Sequence, residues 1–307
     1  MKAAYFERHG GPEVIRYGDV PDPRSGPSEL VVDIHAASVN GADCKVLSGR
    51  YSRITDFPYV LGRDFSGVVA APGDGADEFA PGDPVFGVCE VGQEGAYAEK
   101  IAVKAALVAR KPDGLTHVDA AALALIGLTA VISIEDTLVL QPGERILIQG
   151  GAGGVAGFGI QLAKHIGAHV IATCSARNID YVRGLGADEV IDYNAQDFTE
   201  AVSDCDAVFE TVGGDVAQRS FAVLRPGGRA AFIASGPTAP EPPRDDVTAL
   251  RPRVGRDRPY LLRILELVEA GAVRVPEIHA FPLEDAASAL ATSASRHLRG
   301  KLVLKVR

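Results

Sequence analysis

The sequence predicts a two-part α/β protein: a β-rich N-terminal region followed by a parallel sheet wound with helices. Three observations carry this. Over roughly the first 115 residues, short apolar runs (Leu30–His35, Gly67–Ala71, Ala98–Val103) are separated by turns bearing Pro and Gly, at Pro21-Asp22-Pro23, Pro72-Gly73 and Pro81-Gly82-Asp83. From Gly143 onward, strand-like and helix-like segments alternate, which is the rhythm of right-handed βαβ units. Between the first such strand, Arg145–Ile148, and a helix-like run from Phe158 to Ile166 lies a glycine turn, Gly150 to Gly157.

That turn is a phosphate-binding element. Backbone without side chains can bend sharply and approach a pyrophosphate, which then lies at the positive N-terminal end of the next helix. The pattern is G-x-G-x-x-A from Gly151, or G-x-x-G-x-x-A from Gly150, with Ala156 at the close-packing position. Contacts are expected from Gly150, Gly151, Ala152, Gly153, Gly154 and Val155. Glycine clusters also mark ordinary tight turns, so the strand before and the helix after decide the matter.

The remaining elements follow in order. Asp119 is expected to cap the Ala- and Leu-rich helix that begins after Thr116. Strands are predicted at Arg145–Gln149, His169–Cys174, Glu189–Asp192, Ala207–Thr211 and Arg229–Ala234. Helices are predicted at Phe158–Ile166, Asn178–Leu185, Phe198–Val202 and Asp215–Leu224, closed by Gly167, Gly186 and Gly227-Gly228. Residues 236–259 are rich in Pro and Arg, with a sixth strand expected within Asp246–Val254. Pro259 to Gly271 has helical spacing, and Gly300 to Val306 is a strand expected to return to the N-terminal region.

Composition narrows the class. With 307 residues, 47% apolar and 23% charged, the chain can form two soluble domains. Its 31 basic and 40 acidic residues leave a net charge of −9, which disfavours a nucleic-acid or anionic-membrane surface. The N-terminus lacks the apolar core of a signal peptide. The longest apolar stretch, Ala120 to Ile134, is shorter than the ~18–20 residues of a membrane span and implies a buried helix. Cys44, Cys89, Cys174 and Cys205 are scattered, so reduced thiols and a cytoplasmic location are expected.

The second strand selects the nucleotide. Enzymes that use NAD place an Asp or Glu there, about 20 residues beyond the glycine turn, to hold the ribose hydroxyls. Here that strand runs out in Thr173-Cys174-Ser175-Ala176-Arg177-Asn178, with no carboxylate. The Ser175 hydroxyl and Arg177 guanidinium suit a 2′-phosphate, which favours NADPH; the competing reading is a solvated arginine at a helix start. Val212 and Gly213, and Ser235 and Gly236, end the fourth and fifth strands, whose carboxyl ends face the cofactor in such sheets. There is no G-x-S-x-G, H-E-x-x-H or G-K-[ST] motif, which excludes the corresponding hydrolase, metalloprotease and P-loop classes.

Several blocks in order, Met1-Lys2-Ala3, Ser38-Val39-Asn40, Gly62 to Val69, Gly82-Asp83-Pro84-Val85, Gly95 to Glu99, Gly127-Leu128-Thr129-Ala130, the glycine turn and Gly300-Lys301, span essentially the whole chain. Together they resemble the zinc-free quinone oxidoreductase branch of the medium-chain dehydrogenase/reductase superfamily. Ala156, where many relatives carry glycine, and a short segment after Pro237 depart from its pattern. The resemblance implies a GroES-like β-barrel domain (1–118 and 267–307), an inserted Rossmann domain (119–266), and a catalytic cleft between them. Asn40 and Arg63 stand at the zinc-ligand positions of the zinc alcohol dehydrogenases, Cys174 lies in a core strand, and only Cys89 falls in the structural-zinc stretch, so no metal is expected. Asp64, without a metal, is expected in a structural ion pair with Arg63. Cys44 is taken as a small buried side chain.

The resemblance also assigns roles. Tyr193 and Arg296 would join Ser175 and Arg177 at the 2′-phosphate, Lys301 would belong to the cofactor side, and Thr129 would face the nicotinamide, with bonding to its own helix as the alternative. Asn40, Lys45 and Tyr51 would form the cleft floor. Lys45 would polarise a carbonyl oxygen and Tyr51 would donate a hydrogen bond or proton, against loop capping, surface charge and packing as the simpler roles. The expected activity is NADPH-dependent, metal-free hydride transfer to a quinone or an α,β-unsaturated carbonyl (enone or alkenal). The alternatives are a zinc-free carbonyl reductase and a non-catalytic NADPH-binding protein. A homodimer is expected, paired through Arg229–Ala234 or the sixth strand.

Overall fold

The computed structural model describes residues 1–51 and 54–307. Ser52, the last residue of the Gly49–Ser52 motif, and Arg53 lie outside the described residues. The chain divides into two compact units, Met1–Leu125 with Arg256–Leu262 and Val275–Arg307, and Ile126–Gly255 with Arg263–Arg274. Two of the crossings, after Leu125 and after Leu262, fall inside helices, and those after Gly255 and Arg274 fall between elements.

Unit one begins with β1 (Lys2–Phe6), flanked by β2 (Arg16–Asp19) and β4 (Tyr59–Val60) in an antiparallel sheet. Its centre is β3 (Glu29–Val39), where Leu30, Val32 and Ile34 alternate inward at period two. Antiparallel partners of β3 are β5 (Asp64–Pro72), β7 (Lys100–Lys104) and the terminal strand β16 (Lys301–Lys305). Beyond them lie β6 (Pro84–Val88) and β8 (Val108–Arg110) on one side, and β15 (Ile278–Pro282) on the other, so the sheet order is β15-β16-β3-β5-β6-β8. Leu302 and Leu304 of β16 share one core with Leu30, Val32, Ile34, Phe65 and Leu61, each burial contributing about 1.5–3 kcal/mol. The expected return of the C-terminus is therefore a central strand pairing, Leu302 opposite Val39.

Unit two holds β9 (Arg145–Ile148), β10 (His169–Cys174), β11 (Glu189–Asp192), β12 (Cys205–Glu210), β13 (Leu224–Phe232) and β14 (Thr248–Leu250) in a parallel sheet ordered β11-β10-β9-β12-β13-β14. Its strands read as near-continuous apolar runs because helices cover them; Leu147, Ile171, Val208, Phe221 and Phe232 pack as one cluster. The sixth strand forms within the expected span. It also settles the edge: β13 is paired on both sides, leaving β14 and β11 exposed.

The long apolar helix α2 (His117–Val131) continues through a π-type turn, Ile132–Thr137. Its length and hydropathy would suit a membrane, yet most of it is buried within the protein, as expected of a core helix. Thr116, not Asp119, caps it: the Asp119 N–H donates to Thr116 Oγ1 at 3.1 Å, and Asp119 Oδ2 accepts the Thr116 N–H at 3.1 Å. Both halves of a capping box are satisfied, which places Asp119 three residues inside the helix. Gly127 permits a close approach in unit two, since a Cβ there would lie 2.5 Å from Ile264 Cδ1.

At the start of α2, His117 stacks on His35 with ring centroids 4.3 Å apart and shares a hydrogen bond with Ser66 Oγ at 2.8 Å. Burial, and then the charge of His35, hold His117 down to about 4 from its usual 6.5. The folded state thus accepts a neutral ring, while the unfolded chain takes up a proton as pH falls below 6.5. Stability tied to this ring is complete above pH 6.5 and is lost as pH falls through 4. His117→Asn should therefore narrow the drop in melting temperature between neutral pH and pH 4; thermal melts showing the same drop in both proteins would refute the coupling.

Candidate cofactor and active site

The nucleotide half is assembled at the carboxyl ends of β9, β10 and β12. The Gly150 N–H donates to Thr173 Oγ1 at 3.1 Å, and the Gly151 N–H donates to the Thr173 carbonyl at 2.8 Å, so the turn is strapped to the neighbouring strand. Gly150 takes φ +74°, and a Cβ on it would lie 3.1 Å from Thr211 Oγ1 and Val212 Cγ2. Helix α3 (Gly154–Ile166) then starts at Gly153 with no side-chain cap, leaving its first-turn N–H groups directed at whatever lies before the helix. Gly151, Ala152 and Ala156 are buried beneath the turn, and Gly153, Gly154 and Val155 form its half-buried rim.

Next to it, Ser175 and Arg177 follow β10, half-buried and exposed respectively. The Tyr193 N–H donates to the Cys174 carbonyl at 3.1 Å, and its ring is half exposed, so the parallel register brings Ser175, Arg177 and Tyr193 to one sheet edge. No carboxylate follows β10; Asp192 ends the adjacent strand and turns its Oδ1 to the Asn194 N–H at 3.1 Å. At β12, backbone N–H groups of Val212 and Gly213 both donate to Glu210 Oε1 at 2.7 Å. The N–H groups of this pair are therefore engaged within the turn itself. Burial raises Glu210 above the usual carboxylate range. Ser235 Oγ donates to the Thr238 carbonyl at 3.0 Å, beside Gly236 at φ +95°. Thr129 is nearly buried in unit two, its carbonyl accepting Ser133 Oγ at 2.6 Å.

In unit one the loop after β3 enters a buried polar network. Asn40 precedes α1 (Gly41–Leu47) and its N–H donates to Asp43 Oδ2 at 2.8 Å. Its amide nitrogen donates to Asp64 Oδ1 at 2.7 Å and to the Ser38 carbonyl at 3.3 Å. Its amide oxygen accepts from Lys301 Nζ, which also donates to the Val39 carbonyl at 2.8 Å. Asp64 further accepts Ser38 Oγ at 2.6 Å and the Leu125 N–H at 3.2 Å. Arg63 pairs elsewhere, 3.0 Å from Glu94 Oε1 and 3.6 Å from Asp43 Oδ1, under the Tyr51 ring at 4.6 Å. Tyr97 donates to Asp43 Oδ2 at 2.7 Å, and Tyr59 donates to Glu94. Burial pushes Asp43 up to about 6, although Arg63 and Tyr97 act against it, and lowers Lys301.

Comparison with known proteins completes the picture. A model of the alcohol dehydrogenase GroES-like domain matches residues 26–113, and a model described as zinc-binding dehydrogenase matches residues 185–304. The quinone oxidoreductase of Pseudomonas aeruginosa is 32% identical over 99% of both chains. The chain belongs to the quinone oxidoreductase branch of the medium-chain dehydrogenase/reductase superfamily. The mitochondrial NAD(P)H oxidoreductase RTN4IP1 of Mus musculus is 32% identical over all of this chain and 89% of its own. The Escherichia coli quinone oxidoreductase, solved complexed with NADPH, superposes with a TM-score of 0.91 at 26% identity, over 100% of both chains.

The residues at the superfamily's zinc-ligand positions do not suit zinc. At the two ligand positions, Asn40 carries the Lys301 ammonium on its oxygen, and Arg63 brings a guanidinium between Asp43 and Glu94. Two cations in that place repel a third. Cys89 is buried, and burial pushes its thiol up to about 12, so it is neutral here. Among the described residues no group of three or more His, Cys, Asp or Glu could hold a metal ion.

Of the residues expected to do chemistry, Lys45 and Tyr51 are joined through the backbone, the Tyr51 N–H donating to the Lys45 carbonyl at 3.2 Å. Asn40 is different: both donors of its amide are spent inside the fold, so it positions rather than contacts. The expected Asp64–Arg63 pair does not form, because Asp64 faces Ser38 and Asn40 while Arg63 faces Glu94. Cys44 is half-buried, its Sγ 3.6 Å from the Leu290 carbonyl. Lys301 is not open to a cofactor; it is buried against Val39 and Asn40. Arg296 is exposed at φ +58° after the helix Ala286–Ala294, in unit one. Sequence reasoning missed Glu210 and the partner of Lys301. Glu210 had a signal, a lone acid after Ala207-Val208-Phe209, whereas Lys301 and Asn40 are 261 residues apart. Lys301→Met should cost on the order of 2–3 kcal/mol, through loss of charge-assisted bonds to buried acceptors. Urea unfolding reads this; an unchanged midpoint with a raised KM for the cofactor would return Lys301 to the cofactor.

Proposed function

We propose that the protein is an NADPH-dependent reductase that passes hydride to a quinone or to the β-carbon of an alkene conjugated to a carbonyl. The observation that carries this reading is the edge formed by Ser175, Arg177 and Tyr193 beside an uncapped glycine turn, with no carboxylate after β10. The NADPH complex of the E. coli relative and the quinone oxidoreductase relatives support it. NADPH, when bound, supplies the hydride. The first-turn N–H groups of α3 hold the diphosphate, and Arg177, Ser175 and Tyr193 hold the 2′-phosphate that distinguishes NADPH from NADH. Glu210 holds the turn after β12 in shape through its two N–H acceptances.

On the acceptor, negative charge arrives on oxygen and has to be met by donors already in place. We assign this to Tyr51 as hydrogen-bond or proton donor and to Lys45 as the nearby positive charge. Asn40 acts on them at one remove, by capping the helix from which both project or follow. The homodimer expected of the family is assigned to β14, the exposed edge next to β13.

Arg177→Ala should raise KM for NADPH by about tenfold or more and leave that for NADH nearly unchanged, because it removes a charge-assisted contact made only by the 2′-phosphate. Equal effects on both nucleotides would sink the assignment. NADPH oxidation against a panel of quinones, enones and alkenals tests the reaction itself, and no turnover with any would leave a nucleotide-binding protein without this activity. With a 2-enone, a saturated ketone as product supports alkene reduction, whereas an allylic alcohol identifies carbonyl reduction.

A further inference from the structure

Among the described residues, six of the eight buried side-chain polar atoms that lack a hydrogen-bond partner fall in one place in unit one: Asp43 Oδ1, Arg63 Nε and Nη2, Glu94 Oε1, and Arg256 Nε and Nη1. Buried polar groups ordinarily find partners, so a concentration of unpaired ones needs a cause. Arg63, Asp43 and Glu94 at least attract one another as ions, at 3.0 and 3.6 Å. Arg256 has no ion pair at all among the described residues, although it is only 9% exposed. Around its guanidinium stand Arg63, Cys89, Tyr51 and Glu94, and burial together with the charge of Arg63 lowers its proton affinity.

A guanidinium held dry beside a like charge is unfavourable unless something else completes it. Glu94 is already engaged by Arg63 and by the Tyr59 hydroxyl. Asp43 is engaged by the Asn40 N–H and the Tyr97 hydroxyl, and Cys89 is a neutral thiol. A guanidinium offers pairs of N–H groups, Nε with Nη2 or Nη1 with Nη2, at the spacing that a planar carboxylate occupies with two parallel bonds. The Tyr51 ring, which stacks on the neighbouring Arg63 at 4.6 Å, supplies a flat apolar surface in the same cluster.

Resting on the reductase reading above, we infer that Arg256, with Arg63 and Tyr51, is an acceptor-specificity site for a carboxylate, so that the physiological electron acceptor is an acidic quinone or acidic conjugated carbonyl compound. The carboxylate takes no part in hydride transfer; it anchors the acceptor. Neutral acceptors lack that anchor and are turned over less efficiently.

The test compares 3-(1,4-benzoquinon-2-yl)propanoate with its methyl ester, and a 4-oxo-2-alkenoate with its ester, as acceptors for NADPH oxidation. The wild-type protein should favour each acid by about tenfold or more in kcat/KM, the worth of one charge-assisted pair. In Arg256→Gln the acid-to-ester ratio should fall to about one, while Arg256→Lys should keep part of it. Equal use of acid and ester by the wild type, or an unchanged ratio in Arg256→Gln, overturns the site. Should no acceptor be reduced, the reductase reading fails and the site is tested alone by calorimetry with the saturated analogue 4-oxopentanoate. Binding to the wild type that Arg256→Gln abolishes sustains it, and no binding overturns it. Thermal melting separates a structural role: loss of an unpaired buried cation should leave the melting temperature of Arg256→Gln unchanged or raised, and a large fall would mark Arg256 as structural and overturn the site.

Discussion

The contact between Lys301 and Asn40 is the interaction on which the polar interior of unit one depends. It joins the last strand of the chain to the residue that ends β3 and starts α1. With the Asn40 oxygen held by Lys301, its nitrogen is aimed at Asp64, whose other oxygen is already taken by Ser38. Each group is buried and each has its partners, so the network favours one arrangement over all others. The helix carrying Lys45, and the loop that brings Tyr51 back to it, take their direction from that arrangement.

The same network explains why a superfamily described by zinc binding has a member whose residues do not suit zinc. Asp43, Asp64 and Glu94 remain buried in the neighbourhood, and buried carboxylates require positive charge close by. Lys301 and Arg63 supply it from side chains of the protein itself. A chain that balances its carboxylates in this way has no positive charge to spare a metal and none missing. What it leaves over is a third cation, Arg256, and that surplus is the feature from which an acidic acceptor follows.

Most of the architecture was legible because it rests on local patterns. Period-two burial in β3, apolar runs at β9, β10 and β12, and a glycine turn between strand and helix each announce themselves within a few residues. The cap of α2 was misread by three positions because Thr116 and Asp119 are both good capping residues, and only their mutual hydrogen bonds tell which one leads. Asp64 was paired with the wrong neighbour for a related reason. Adjacent residues at a strand start point to opposite sides, so Arg63 and Asp64 look like partners on paper and face different groups in space.

Ser175 and Arg177 could be proposed from the sequence because they must follow the second strand of a βαβ unit, whereas Tyr193 was proposed through the resemblance to the quinone oxidoreductases. By itself the sequence determined the fold class, the glycine turn, the missing carboxylate and the unsuitability of Asn40 and Arg63 as zinc ligands. Tertiary structure alone decided that Lys301 serves Asn40, that Glu210 absorbs the N–H groups after β12, and that Arg256 lies near Arg63 with no ion pair among the described residues. The reason is physical. Hydrogen bonds within a turn or between neighbouring strands are set by local geometry, whereas partners hundreds of residues apart are chosen by how whole strands come to pair.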